Sequence, residues 1–104
     1  MDTLTRPKMS ELEQSLGAAT RLLKLVANEQ RLMILCRLIE GECSVGELSE
    51  LIDLAQSATS QHLARLRIEG IVDTRRDAQT VYYRLKNPAA AKLLETLCEL
   101  YKTK

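Results

Sequence analysis

The chain has no Phe and no Trp, and its only aromatics are three Tyr in 104 residues. That scarcity argues against the stacked platforms that hold single-stranded nucleic acid and against cation-binding aromatic cages. Three Cys, at 36, 43 and 98, are too few and too irregularly spaced for a disulfide scaffold. No apolar run approaches the roughly 20 residues of a membrane span, and Met1-Asp2-Thr3 opens no signal peptide. The expectation is a cytoplasmic protein with no membrane partner. An excess of one charge is also missing: 15 Lys+Arg stand against 14 Asp+Glu, a net of +1. What is present is ordinary globular composition, 45% hydrophobic and 28% charged, which argues against a disordered or collagen-like chain. At 11.7 kDa the chain is below the size at which domains divide. Residues 1–9 read as a flexible tail and residues 10–104 as a single domain.

A near-zero charge also points away from nucleic acid, but the charge is unevenly placed. Residues 1–60 hold six basic and nine acidic side chains, a net of −3, and residues 61–104 hold nine and five, a net of +4. The cations of the second part cluster as Arg65, Arg67, Arg75, Arg76, Arg84 and Lys86. Phosphate affinity depends on such a local footprint rather than on the sum.

The apolar periodicity gives the element order. From Ser10, Leu12, Leu16, Ala19, Leu22, Leu23 and Val26 fall at helical spacing. Asn28 is placed to cap a second helix carrying Leu32, Leu35, Cys36 and Ile39 on its inner face and ending at Gly41. Ser44 and Glu47 form the signature of a capping box that opens a short helix through Leu48, Leu51 and Ile52. After a tight connection at Asp53-Leu54, a longer helix is expected from about Gln56 to Glu69, closed by Gly70. The period then changes to two. Val72, Thr74 and Arg76, and after them Val81, Tyr83 and Leu85, alternate as a β-hairpin joined by about four residues around Asp77-Ala78-Gln79. Asn87-Pro88 restarts a helix through Leu93, Leu94, Leu97, Leu100 and Tyr101.

A short capped helix, a tight turn and a second helix make a helix-turn-helix, whose second helix can enter a DNA major groove. Here that helix offers Gln56, Ser57, Thr59, Ser60, Gln61 and His62 in its first half, and Arg65 and Arg67 beyond them. These side chains can reach base edges and phosphates. The hairpin carries Arg75 and Arg76 near its tip and Gln79 in its turn, as a basic ribbon that grips the backbone or enters the adjacent minor groove would. The fold class expected is mainly α with a small β-hairpin, a winged helix-turn-helix.

Four blocks carry a specific resemblance. They are Asn28-Glu29-Gln30-Arg31-Leu32, Ser44-Val45-Gly46-Glu47-Leu48, Ser57 to Arg67, and Arg75-Arg76-Asp77-Ala78-Gln79-Thr80-Val81-Tyr82-Tyr83. Together they resemble the ArsR/SmtB winged-helix transcriptional repressors over about residues 16–101. Within that family they are most similar to the branch of the hemolysin activator HlyU, the biofilm growth-associated repressors and the nodulation repressors. The resemblance implies a homodimer whose first and last helices pack across the two-fold axis, with a palindromic double-stranded DNA operator as partner. Leu12, Leu16, Leu94, Leu97 and Tyr101 fit that interface. Their apolar stripes agree with it, since a chain this small gains core by dimerising. The pattern departs at Ala55, where relatives usually have a Ser capping the recognition helix; Ser57 is then a candidate cap for a helix starting two residues later.

The same resemblance frames what is sensed. The family's metal box places two Cys where this chain has Ser44 and Gly46, and its other common site needs His on the last helix, where residues 88–104 have none. The single His62 lies in the recognition helix, so neither metal nor cofactor is expected. Relatives that respond to sulfide or oxidants pair a Cys on the second helix with one directly after the position of Tyr101. Cys36 matches the first; Lys102 stands at the second, and Cys98 lies about one turn, roughly 6 Å, before it. A disulfide needs Cα atoms about 4.4–6.8 Å apart, so one turn decides whether Cys36 and Cys98 pair. Cys43 is a further thiol without a family counterpart. Three readings stay open: a repressor or anti-repressor responsive to a sulfur or oxidant species through Cys36 and Cys98, a thiol-independent repressor without inducer, and a protein-interaction module that does not bind DNA. An enzyme is not expected, because one His beside scattered Cys supplies no nucleophile, base and orienter together.

Overall fold

Among the described residues, five helices and three strands follow one another in the expected order, with one strand more than the hairpin required. The computed structural model describes residues 9–102. Residues 1–8 of the expected tail therefore lie outside the described residues, while Met9 is already helical.

Helix α1 spans Met9–Val26, with Glu11 in its first turn and Lys24 in its last, both favourable to the helix dipole. Its end is fixed by the next element. In α2, Glu29–Glu40, the Asn28 side chain caps the helix by accepting from the Arg31 amide at 2.9 Å. The Arg31 guanidinium turns back and donates to the terminal carbonyls of α1, to Leu25 at 2.6 Å and to Lys24 at 3.3 Å. Helix α3, Val45–Ile52, opens with the full capping box: Ser44 Oγ accepts from the Glu47 amide at 3.2 Å, and Glu47 Oε1 accepts from the Ser44 amide at 2.8 Å. It stops at Asp53, which adopts the left-handed conformation, φ 56 and ψ 55.

Helix α4, Gln56–Ile68, begins without help from a side chain, since Ala55 at its N-cap makes no capping bond. Ser57 is the second residue of the helix and is not its cap, which corrects the alternative start. Ala55→Ser is expected to stabilise the fold by about 1 kcal/mol, a rise of about 4–8 °C in melting temperature for a domain of this size. An unchanged or lower midpoint in a calorimetric scan contradicts this. Gly70, at φ 77, closes the helix in a conformation that favours Gly, and the Ile71 amide reaches back to the Leu66 carbonyl at 2.9 Å.

Strands β2, Val72–Asp77, and β3, Thr80–Leu85, pair from Val72↔Leu85 to Asp77↔Thr80. The turn is therefore two residues, Ala78-Gln79, shorter than the spacing suggested, and Ala78 takes φ 57 to make it. The unexpected strand is β1, Cys43–Ser44, which adds to β3 and gives the order β1-β3-β2. Helix α5, Pro88–Leu100, starts as expected, with Pro in the first turn and Asn87 accepting from the Ala90 amide at 2.9 Å.

One core joins these elements. Ile34, Leu35 and Leu38 of α2 meet Leu48 and Ile52 of α3, Leu63 and Leu66 of α4, Val72 of β2 and Ala90 and Leu94 of α5. Of α1, only Leu25 and Val26 at its end are buried. The rest of that helix projects, so the Cα radius of gyration, 15.6 Å, exceeds the about 13 Å typical of a compact chain this long.

Candidate nucleic-acid interface

The short α3, the turn at Asp53 and α4 form the helix-turn-helix, and the β2–β3 hairpin stands beside it as the wing. Helix α4 is held by three buried residues, Thr59, Leu63 and Leu66, spaced four and three apart. The opposite side leaves Gln56, Ser57, Ser60, Gln61, Ala64, Arg65 and Arg67 exposed. Ser57, Ser60, Gln61 and Ala64 repeat at three- and four-residue spacing, so they form one stripe of short side chains. Without a side-chain cap, the first amides of α4 also stay open to an anionic oxygen. Gln56 leans back on α3: its amide nitrogen lies 3.4 Å from where a Cβ on Gly46 would stand.

Two of the expected reading residues have other partners. Thr59 is fully buried, and its hydroxyl donates to the Ala55 carbonyl one turn back at 3.0 Å. Its polarity is satisfied inside the protein, which removes it from the exposed face. His62 is half-buried, with Nε2 2.9 Å from Gln30 Oε1, so the Nε2–H tautomer donates to the N-terminal turn of α2. Burial, with a smaller contribution from Arg31, holds its pKa below the usual histidine value and keeps the ring neutral at pH 7. His62 thus ties α4 to α2. Gln30 and Arg31 were not singled out from the sequence for this role, and only their place in a family-like block marked them.

The wing is less basic than its sequence. Arg75 donates through Nε to Glu42 Oε1 at 2.8 Å and through Nη2 to the same oxygen, while its guanidinium lies 4.9 Å from the Tyr82 ring centre. The Arg75 hydrogen bond holds the Glu42 carboxyl below the usual carboxylate value. Arg84 pairs with Asp73 across the strands at 3.4 Å. Arg76 and Gln79 are exposed at the tip, and Arg76 has no ion-pair partner among the described residues. On α4, Arg65 shares Glu69 with Arg21 of α1, at 3.9 and 3.8 Å, in loose surface pairs.

The two Cys singled out are brought together. Cys36 of α2 is half-buried and Cys98 of α5 is exposed. Burial pushes the Cys36 thiol up, and the adjacent Cys98 thiol raises it further, so Cys36 is a thiol rather than a thiolate at pH 7. Cys43 stands apart in β1, facing Tyr83 in the strand register. Among the described residues no group of three His, Cys, Asp or Glu is placed to hold a metal ion. No helix among them is long and apolar enough to cross a membrane.

The apolar residues of the outer helices divide. Leu12 and Leu16 of α1 and Tyr101 after α5 are exposed, at 40%, 50% and 79%, and Leu97 is half-buried. Leu94 is fully buried in the core of its own chain, so it has no surface to offer a partner and leaves the expected interface set. Met9, Leu23 and Leu100 extend the exposed apolar surface; the sequence marked Leu23 and Leu100 only as part of the helical periodicity, not as interface residues.

The family model described as bacterial regulatory protein, arsR family, matches residues 28–74, from the α2 cap into the wing. The transcriptional activator HlyU of Vibrio cholerae is 50% identical over 93 residues, which are 89% of this chain and 86% of HlyU. The structure of reduced HlyU, 49% identical, superposes with a TM-score of 0.85 and covers 91% of this chain and 100% of that one. The transcriptional repressor BigR from Xylella fastidiosa, 38% identical, gives 0.87 over 94% of this chain and 100% of its own. A homodimeric winged helix-turn-helix DNA-binding domain from Mycobacterium bovis, described as a possible ArsR-family regulator, is 28% identical and gives 0.72 over 96% of this chain and 89% of its own.

Proposed function

We propose, from the premise that this chain belongs to the ArsR family of bacterial regulatory proteins, that it acts as a homodimer on a palindromic duplex operator. As a member of that family it is a DNA-binding transcriptional regulator. The observation that carries the finer reading is the stripe of Ser57, Ser60, Gln61 and Ala64, exposed on a helix whose other side is locked into the core. Short side chains let the helix approach the groove floor, and Ser and Gln offer donors and acceptors to base edges. Arg67 on α4 and Arg76 and Gln79 on the wing supply phosphate and minor-groove contacts on either side. Dimerisation through α1 and the end of α5 covers Leu12, Leu16, Leu97 and Tyr101 and places two recognition helices about 34 Å apart, one turn of duplex.

Arg76→Ala tests the wing. It is expected to weaken binding to specific and unrelated duplexes alike. The plot of log affinity against log salt should flatten by about 0.9 for each phosphate no longer neutralised. An unchanged slope takes the wing off the DNA.

A second reading, in which thiols control the regulator, rests on the approach of Cys36 to Cys98. Hydrogen peroxide oxidises the exposed Cys98 thiol to a sulfenic acid and is itself reduced to one water. The Cys36 sulfur then displaces a second water to form a disulfide joining α2 to α5, which alters the dimer spacing. Because the Cys36 thiol is raised, iodoacetamide at pH 7 is expected to label Cys98 first. Labelling of Cys36 should keep climbing past the pH of about 8.5 at which an ordinary thiol is half ionised. Faster labelling of Cys36 at pH 7, followed by mass spectrometry, contradicts this order.

A further inference from the structure

We propose that Glu42 sets the wing's grip on DNA: its carboxylate occupies the guanidinium of Arg75 in place of a DNA phosphate and so suppresses the sequence-independent part of binding by the wing. The inference rests on the reading that the wing lies along DNA.

The geometry begins with the strand register. Cys43 faces Tyr83 and Ser44 faces Tyr82, which puts Glu42, just before β1, beside Arg84 at the edge of the sheet. Two residues along, Arg75 and Tyr82 face each other across β2 and β3. Alternation places Glu42, Asp73, Arg75, Tyr82 and Arg84 on the same face. There Asp73 takes Arg84, Glu42 takes Arg75, and the Tyr82 ring covers the Arg75 guanidinium.

Arg75 is held along one edge of its guanidinium. Its Nε and one terminal nitrogen both donate to Glu42 Oε1, so the edge of the guanidinium that could face a phosphate is already engaged by a carboxylate. An arginine so engaged is of little use to a second anion unless the first leaves. Both partners remain partly open to solvent, with Arg75 42% and Glu42 32% exposed, so exchange needs no unfolding. The charge count points the same way. The hairpin and its base carry Arg75, Arg76, Arg84 and Lys86 against Asp73 and Asp77, and Glu42 brings the excess from +2 to +1.

Sequence-independent affinity comes almost wholly from such phosphate contacts, whereas base reading on α4 does not depend on them. Glu42 therefore acts through Arg75 as a positioning residue, and it lowers the wing's phosphate contribution to any duplex, leaving discrimination to the base contacts of α4.

The test uses the full chain with Glu42→Gln, which keeps the hydrogen-bond acceptor and removes the charge. Binding to an unrelated duplex and to the chain's own upstream DNA is followed by fluorescence anisotropy over a salt series. Unspecific binding at about 0.1 M salt should tighten on the order of tenfold, and its salt slope should steepen by about 0.9 per protomer. Binding to the upstream DNA should tighten by a similar factor, since the base contacts of α4 are untouched. Glu42→Ala, which removes the acceptor altogether, should move in the same direction, and neither change should occur in an Arg75→Ala background. Unspecific binding that is unchanged or weaker in both variants overturns the inference, as does the same gain without Arg75. A wing merely loosened by the substitution does not steepen the slope. If Arg76→Ala has no effect either, the reading of the wing fails; if Arg76→Ala weakens binding and Glu42→Gln is silent, only the role of Glu42 fails.

Discussion

Leu12→Asp combined with Leu16→Asp is expected to yield a folded monomer whose affinity for the operator is at least about a hundredfold weaker, about 2.7 kcal/mol. Both side chains are already exposed in the single chain, at 40% and 50%, and lie outside the core, so their replacement leaves the fold intact. The substitution removes the partner instead. Helix α1 buries only Leu25 and Val26 within its own chain, while Met9, Leu12, Leu16 and Leu23 stay exposed along a projecting 18-residue helix. An apolar surface of that kind marks an interface. A carboxylate placed there requires desolvation on association, and without association one recognition helix must bind alone. Sedimentation gives the oligomeric state, and far-ultraviolet dichroism checks the helices. A double variant that stays dimeric, or a monomer that keeps full affinity, contradicts the proposed interface.

Leu63→Ala carries the other large effect, this time on stability. Leu63 is fully buried between Thr59 and Leu66 on the inner side of α4 and belongs to the cluster formed by α2, α3 and α5. Truncating such a side chain removes its transfer free energy and leaves a cavity, at a cost of about 2–5 kcal/mol. That is a large part of the about 5–15 kcal/mol by which a domain is stable, and at about 4–8 °C per kcal/mol the melting temperature should fall by about 8–40 °C. Gln61→Ala, on the opposite side of the same helix, is expected to do the reverse. Its stability should change by about 0.5 kcal/mol or less, while discrimination between operator and mismatched sites drops by about 1–3 kcal/mol. Thermal denaturation and competition binding on the two variants separate a residue that builds α4 from one that reads with it. A Gln61→Ala protein with unaltered discrimination removes Gln61 from the reading face.

Much of this was legible in the chain because the signals are local. Asn28, Ser44 with Glu47, and Asn87 with Pro88 each cap the helix expected of them, since a cap is decided within about four residues. Gly70 ends α4 for the same kind of reason. The features that escaped depend on distant residues. Strand β1 is only Cys43 and Ser44, and it exists because β3 offers an edge near Tyr82 and Tyr83. Glu42 and Arg75 are 33 residues apart, and His62 and Gln30 are 32, so neither pairing has a signature along the chain. Thr59 and Leu94 did leave a trace. Thr59 continues the four-and-three spacing of Leu63 and Leu66, and that periodicity outweighs its polar type. Leu94 lies four residues after the buried Ala90, on the side of α5 that packs inward.

The recognition face and the dimer together require that two copies of α4 read two half-sites of a duplex. Hydroxyl-radical footprinting on a fragment selected from random duplexes tests it most directly. Two protected half-sites related by a dyad are expected, with centres about 10–10.5 base pairs apart on one face of the helix and protection that weakens for Gln61→Ala and for Leu12→Asp with Leu16→Asp. A single protected site without a dyad, or a footprint untouched by those substitutions, contradicts it.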